Sequence, residues 1–187
     1  MSTGEDHDRG GAGQSAGFPA PRIIAVLGDV TTMQVDAVVN AANRALAGGA
    51  GVDGAIHRAA RAATLRAACR ALGGCEPGDA KATPGFGLRA RWIVHTVGPV
   101  WNGGGRGERA VLASCYRRSF EVAESLGARS IAFPAIATGV YGFPPELAAG
   151  IAVRTLRSLR SAVVREVVLV AFDPSTLSLY RHHLQTA

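Results

Sequence analysis

Long apolar runs are missing from this sequence. No stretch approaches the roughly 18 apolar residues that a membrane-spanning helix requires. Residues 1–21 are polar and Gly-rich, and they contain no apolar segment of the kind that a secretory signal carries. We therefore expect a cytoplasmic protein that has no membrane partner.

Cysteine is also scarce. The chain has three, Cys69, Cys75 and Cys115, an odd number without the spacing of a zinc site. We therefore expect reduced thiols, as is usual in the cytosol. Because no cluster of metal-ligating residues is evident, the sequence predicts neither a metal nor a cofactor.

Acidic residues are outnumbered, 14 against 20 basic ones, so the formal net charge is +6 and the isoelectric point is about 10.0. This balance raises the hypothesis of nucleic-acid binding. The arginines are scattered, however, and aromatic residues make up only 6% of the chain, so no basic stripe with interleaved aromatics is formed. A solvated basic surface is the favoured interpretation, and nucleic acid stays an open but unfavoured partner. Such a surface would still attract a polyanionic ligand.

Strand-like and helix-like patterns alternate after residue 21, without internal repeats. Hydrophobic residues make up 48% of the 187 residues, enough for one domain with a sizeable core. Strands are predicted at 22–27, 35–40, 80–83, 92–97, 130–134 and 166–172, and helices at 54–72, 108–126, 144–159 and 176–185. The alternation predicts a three-layer α/β fold with a largely parallel sheet. We interpret 1–21 as a flexible tail and 22–187 as a single domain, expected to be a monomer.

Two loops that follow predicted strands carry the most chemical information. In such sheets, ligands bind outside the carboxyl ends of the strands. The first loop contains Asn40 and Asn43, then a Gly-rich turn at 48–51, then Asp53 where a helix should begin. The second, 135–144, ends in a proline suited to open a helix. Amides can bond sugar hydroxyls, and two Gly-rich loops that lead into helices can hold a diphosphate, so a nucleotide-sugar site is predicted.

A dinucleotide-binding motif is the alternative explanation of the first loop. Residues 49–54 match G-x-G-x-x-G, and Glu76 lies near the expected spacing beyond it. In a Rossmann fold, however, that motif directly follows the first strand, whereas here residues 40–46 intervene and the strand is the second. We therefore reject a dehydrogenase.

The motifs taken together resemble the macrodomain family, specifically the MacroD-type ADP-ribosyl hydrolases. The resemblance covers about residues 22–185 and rests on five motifs, at 28–31, 35–43, 48–60, 95–99 and 133–144. It implies a three-layer α/β/α macrodomain fold with a mixed six-stranded central sheet, which amends the largely parallel sheet predicted from the alternation.

The resemblance also implies a role for individual residues. Asp29 and the Val30 backbone would bind the adenine, and Phe172 would stack on it. Asn43 would bond the distal ribose, while Asn40 would brace the loop from behind. The residues expected to enclose the diphosphate and the distal ribose are Gly48, Gly49, Gly51, Val52, Ala137, Thr138, Gly139, Val140 and Tyr141.

Plain structural explanations compete with several of these roles. Asp29 is also typical of a turn, and Phe172 could be an ordinary core aromatic. His57 and His95 are interpreted as structural histidines with satisfied hydrogen bonds. Asp53 could be only the N-cap of the following helix.

The activity that the resemblance implies is the hydrolysis of ADP-ribose esters. Asp53 would orient or deprotonate the attacking water, with Asn43 as the second catalytic residue. Substrates would be proteins mono-ADP-ribosylated on Glu or Asp, and O-acetyl-ADP-ribose as a second ester. A non-catalytic ADP-ribose reader is the alternative. Two departures from close relatives are Ala50, in place of a glycine, and Ala137, in place of a serine.

Overall fold

The structure is a computed structural model that describes residues 17–186. Within this range the chain forms six strands, five α-helices and a 3-10 helix at Val30–Thr32. The strands are β1 (Arg22–Leu27), β2 (Ala37–Ala42), β3 (Ala80–Pro84), β4 (Trp92–Val97), β5 (Ser130–Phe133) and β6 (Glu166–Ala171). The helices are α1 (Gly51–Ala59), α2 (Ala62–Ala71), α3 (Glu108–Ser125), α4 (Pro145–Ser158) and α5 (Pro174–Thr186).

The six strands form one mixed sheet in the order β1-β6-β5-β2-β4-β3, as the resemblance implied. All neighbouring pairs are parallel except β3 and β4. Only residues 85–91 join these two strands, whereas a parallel connection needs a crossover of a dozen or more residues. The short connection therefore makes β3 the antiparallel edge strand.

Apolar side chains cover both faces of the sheet. Val39 belongs to a core shared with α3, α4 and α5, and its neighbour Val38 belongs to a core shared with α1 and α2. Because successive strand residues point to opposite faces, a continuous apolar run such as that in β2 fits a strand buried on both sides. The three-layer arrangement predicted from the sequence is thus confirmed.

Three predicted elements need correction. The single helix expected at 54–72 is two helices, because Arg61 adopts a left-handed conformation with φ 60° and ends the first. The apolar spacing runs on because both helices pack on the same core. The second strand lies two residues later than predicted, so Asn40 is inside β2 and not at its end. Helix α5 begins at Pro174, two residues before the predicted start.

Most of the predicted tail lies outside the described residues. Of the part that is described, Pro19 accepts a hydrogen bond from the backbone N–H of Ser161 at 3.2 Å. No helix between residues 17 and 186 has both the length and the apolar character needed to cross a bilayer.

Candidate functional site

A cavity of about 730 Å³ opens at the carboxyl ends of the parallel strands. The loops that follow β1, β2, β5 and β6 form its walls. All the predicted site residues line it except Asn40 and Gly48. The sheet therefore brings together loops that are far apart in the sequence, at the edge where the strand pattern predicted a ligand site.

Helix α1 begins at the cavity wall. Its N-cap is Ala50, which has extended backbone angles (φ −90°, ψ 177°) that any residue adopts, so the loss of a glycine here causes no strain. The cap provides no side-chain hydrogen bond. The first-turn N–H groups of an α-helix lack intrahelical partners, and the helix dipole places partial positive charge beside them. Since Gly51, Val52 and Asp53 line the cavity, this end of α1 can receive an anion such as a phosphate.

Asp53 is not the N-cap of α1, so that interpretation of it is wrong. It lies in the first turn of the helix, it is only 5% exposed, and its Oδ1 accepts a hydrogen bond from Asn40 Nδ2 at 2.8 Å. His57 Nε2 lies 3.5 Å from the same oxygen. Burial raises the pKa of Asp53, while the Asn40 hydrogen bond and His57 act in the opposite direction. Asp53 is thus a carboxylate of increased proton affinity at the cavity wall.

Asn43, not Asn40, is the asparagine that holds the loop. Asn43 lines the cavity, but its Nδ2 donates to the Gly48 carbonyl at 2.9 Å and its Oδ1 accepts from the Ala47 N–H at 3.2 Å. Asn43 therefore braces the loop, a role predicted for Asn40. It keeps one N–H and one lone pair for a ligand. Asn40, fully buried, contacts Asp53 instead of the loop.

The opposite end of the cavity contains Asp29 and Phe172. Asp29 caps the 3-10 helix, where its Oδ1 accepts hydrogen bonds from the backbone N–H and the hydroxyl of Thr31, both at 2.8 Å. The turn interpretation of Asp29 is therefore correct, and the residue also lines the cavity. Phe172 is 84% exposed, so it is not a core aromatic, and it offers a ring face for stacking.

Hydrogen bonds within the chain hold the loop after β5. The Gly142 N–H donates to the Gly139 carbonyl at 2.9 Å, and the Phe143 N–H donates to the Ala137 carbonyl at 3.0 Å. The Trp101 N–H donates to the Tyr141 carbonyl at 2.8 Å, and the Trp101 ring packs on Phe143 with centroids 4.6 Å apart. These contacts hold the backbone of the loop in place, and that of Tyr141 with it.

His57 and His95 differ in their hydrogen bonding. His95 has hydrogen-bond partners at both ring nitrogens, Asn40 Nδ2 at 3.1 Å and Thr83 Oγ1 at 2.9 Å, as predicted. For His57 the prediction is wrong, because its buried ring nitrogens make no hydrogen bond with a described residue. Its ring packs against Gly48, where an added Cβ would lie 3.3 Å away.

Sequence reasoning missed several residues of the cavity wall. Gly98 supports the loop after β5, since a Cβ there would lie 2.9 Å from the Ala137 Cβ. Arg58 is the one basic side chain among the described residues that line the cavity. Asp173 caps α5 and also lines the cavity. A signal for Asp173 existed, since Asp followed by Pro after a strand is typical of an N-cap and first helical residue.

Comparison with known proteins assigns the family. The family model described as Macro domain matches residues 39–152. The chain belongs to the Macro domain family. A macro domain-containing protein of Ralstonia nicotianae is 55% identical to this macrodomain over 170 residues, which are 91% of this chain and 98% of that protein. An O-acetyl-ADP-ribose deacetylase of Klebsiella pneumoniae is 52% identical over 165 residues, 85% of this chain and 94% of that one.

Solved macrodomain structures share the fold. The Oceanobacillus iheyensis macrodomain with ADP has a TM-score of 0.82 and 40% identity, covering 87% of this chain and 90% of that one. The Trypanosoma brucei macrodomain in complex with ADP-ribose has a TM-score of 0.81 and 37% identity, covering 87% of this chain and 69% of that one.

Proposed function

We propose that this macrodomain binds ADP-ribose and hydrolyses the ester that joins it to a Glu or Asp side chain of a modified protein. O-acetyl-ADP-ribose is proposed as a second ester substrate. The observation that carries the proposal is Asp53, a buried carboxylate beside an anion-binding helix N-terminus in the wall of a cavity of nucleotide size. Two relatives named O-acetyl-ADP-ribose deacetylase support the same class of reaction.

In this proposal the ligand extends along the cavity. The adenine stacks on Phe172 and its amino group donates to Asp29, both of which line the cavity. The diphosphate lies against the N-terminus of α1, between the loops that follow β2 and β5. The distal ribose then meets Asn43 and Tyr141. A cavity of about 730 Å³ is within the usual range for small-molecule sites, and similar macrodomains solved with ADP and with ADP-ribose support a ligand of this class.

The reaction adds one water across the ester. Asp53 orients the water and accepts its proton, while the water oxygen bonds to the anomeric carbon of the distal ribose. The bond from that carbon to the carboxyl oxygen breaks, so ADP-ribose and a free carboxylate are the products and the proton passes to solvent. The raised pKa of Asp53 suits a general base, because a base of higher proton affinity removes a proton more readily. A protein that only bound ADP-ribose would have no use for a buried carboxylate here, since desolvation makes it costly.

The test is the release of ADP-ribose from a glutamate-modified protein, beside arginine-modified and serine-modified controls. We expect release from the glutamate ester and none from the other two linkages. Asp53→Asn is the matched variant, because asparagine can still accept the Asn40 hydrogen bond but cannot take a proton from water. It should bind ADP-ribose and unfold at a similar temperature, while turnover falls by roughly 10²–10⁴-fold.

Two results would contradict this proposal. ADP-ribose binding without release from any of the three proteins would make this macrodomain a reader. Release by Asp53→Asn at the wild-type rate would remove the general-base role and leave catalysis to Asn43 and the diphosphate of the substrate.

A further inference from the structure

Behind the cavity, three buried polar side chains cross the sheet. Asn40 is on β2 and pairs in register with His95 on β4, so the two side chains point to the same face. Thr83 on β3 pairs with Ile93, two residues before His95, which places it diagonally within reach of the imidazole. All three are at most 3% exposed. None of them lines the cavity, yet the series ends at Asp53, which does.

The chemistry of the partners fixes the direction of each hydrogen bond. Asn40 Nδ2 lies 2.8 Å from Asp53 Oδ1 and 3.1 Å from His95 Nδ1, so the amide uses one hydrogen for each. A carboxylate only accepts, and His95 Nδ1 must then accept as well. The imidazole hydrogen is therefore on Nε2, which donates to Thr83 Oγ1 at 2.9 Å. Cys69 Sγ is a further neighbour of that nitrogen, at 3.8 Å.

Among the described residues, Asp53 and His95 are the two hydrogen-bond partners that orient the Asn40 amide. Its Oδ1 is buried and accepts no hydrogen bond from the described residues. If the amide were reversed, this oxygen would face the Asp53 carboxylate, which is a repulsive contact. It would also face the Nδ1 lone pair as long as the imidazole hydrogen is on Nε2. With its hydrogen on Nε2, His95 accepts the second amide hydrogen and so stabilises the orientation in which Asn40 donates to Asp53. Burial lowers the pKa of His95 to about 4, which keeps the ring neutral, as this arrangement requires.

We propose that Thr83, His95 and Asn40 form a buried relay that fixes the direction of the Asp53 carboxylate, which makes His95 a positioning residue for ester hydrolysis. The inference rests on the proposed function, because it assigns the relay to the residue that handles the water. A water-activating carboxylate must be held within a narrow range of positions, since a displacement of about 1 Å can cost roughly 10²-fold in rate. The relay acts on that alignment and leaves the ligand-binding loops as they are.

The experiment compares two threonine variants that each remove one buried hydroxyl. Thr83→Val removes the acceptor of His95. Thr96→Val is the matched control, because Thr96 is fully buried on β4 next to His95 but donates to the Asp79 carbonyl at 2.7 Å. We expect Thr83→Val to lower kcat for the glutamate ester by up to roughly tenfold, the factor that one hydrogen bond contributes. KM and ADP-ribose affinity should stay unchanged, and Thr96→Val should keep the wild-type kcat.

Substitution of His95 tests the same relay at its centre. His95→Leu should lower kcat further, by up to roughly 10²-fold. His95→Asn should recover part of this loss, because its amide oxygen can accept from Asn40 in place of Nδ1. Combined with Asp53→Asn, Thr83→Val should cause no additional loss, since both changes act through one carboxylate. Equal effects of Thr83→Val and Thr96→Val, or additive losses with Asp53→Asn, would overturn the relay.

One measurement tests the relay independently of the proposed function. The imidazole ¹⁵N shifts of His95 report its tautomer without any turnover. A neutral ring protonated on Nε2 at neutral pH, changed by Thr83→Val, supports the relay, and a ring protonated on Nδ1 overturns it. A wild-type kcat in Asp53→Asn would contradict the general-base role of Asp53, and with it the relay that positions Asp53. If kcat falls in Asp53→Asn but stays at the wild-type value in Thr83→Val, the relay is overturned and the proposed function stands.

Discussion

At the scale of single residues, Phe172 shows how an exposed apolar side chain can indicate a ligand. An aromatic ring that is 84% exposed at the end of a buried strand gains little from the core. Its position beside Val30 and Asp29 at one end of the cavity gives it a flat surface for a base.

Phe172→Ala should therefore weaken ADP-ribose binding by roughly 1–3 kcal/mol, the scale of base–aromatic stacking. The free energy of unfolding should change little, because the ring is mostly exposed. Calorimetric titration of the folded variant measures the effect, and Leu27→Ala, also an exposed apolar residue (53%), is the control outside the cavity. Unchanged affinity in Phe172→Ala would place the adenine elsewhere.

Asp53 also determines how the rate should depend on pH. Since burial raises the pKa of this carboxyl above its usual value of about 3.9, the base becomes protonated at a higher pH than an ordinary Asp would. We expect kcat for the glutamate ester to fall on acidification with an apparent pKa above about 3.9. A pH–rate profile measured where the protein stays folded tests this. A flat profile down to that value would contradict the base role.

At the scale of elements, the entry into α1 depends on close backbone contact. A Cβ at Gly54 would lie 2.3 Å from the Gly49 carbonyl oxygen, closer than real Cβ atoms approach. The turn at 48–51 can therefore lie against the helix only because residue 54 has no side chain. This contact between Gly54 and Gly49 therefore determines the position of the first-turn N–H groups of α1 at the cavity wall.

Gly54→Ala should displace this turn, with a loss of roughly 1–3 kcal/mol in unfolding free energy from overpacking. ADP-ribose affinity should fall as well, because the loop and the helix N-terminus form the anion site. Gly105→Ala is the control, since a Cβ there meets nothing within 4 Å. Thermal unfolding and calorimetry measure both variants, and wild-type affinity in Gly54→Ala would show that the contact is not required.

At the scale of the whole molecule, buried neutral histidines make stability depend on pH. Burial lowers the pKa of His95 to about 4 and also lowers that of His57. In the unfolded chain both would titrate near 6.5. As the pH falls below about 6.5, the unfolded state takes up protons that the folded state does not, so stability is lost.

We expect the melting temperature to decline as the pH is lowered from about 6.5 towards 4. His95→Asn should flatten part of this decline, because it removes one of the two buried histidines whose pKa is lowered. Differential scanning calorimetry over this range provides the measurement. A decline of the same size in wild type and His95→Asn would show that His95 does not contribute.

The basic charge is also a property of the whole molecule. Ion pairs join Arg44 to Glu76 and Arg118 to Asp79, with side chains that are 44–73% exposed, so they contribute little to stability. Nucleic-acid binding would require a steep dependence of affinity on salt that ADP-ribose does not influence. The monomeric state and the cytoplasmic location remain predictions from the sequence.

The sequence alone determined the order of the elements and the loops that form the site. Both are local properties, because apolar spacing and Gly-rich turns depend on residues that are close together in the sequence. The mixed sheet came from the family resemblance, since alternation by itself favoured parallel strands. The break at Arg61 escaped prediction because the apolar spacing continues across it and no Gly or Pro marks it.

Only the tertiary structure decided how the site is held. Asn40 and His95 are 55 residues apart in the sequence, and the register of β2 with β4 places them 3.1 Å from each other. The packing of α1 on that face then turns Asp53 towards Asn40, and Asp53 lies in the first turn of the helix, so it is not the N-cap that the sequence suggested. Register and helix packing depend on the whole sheet, so no local pattern contains them.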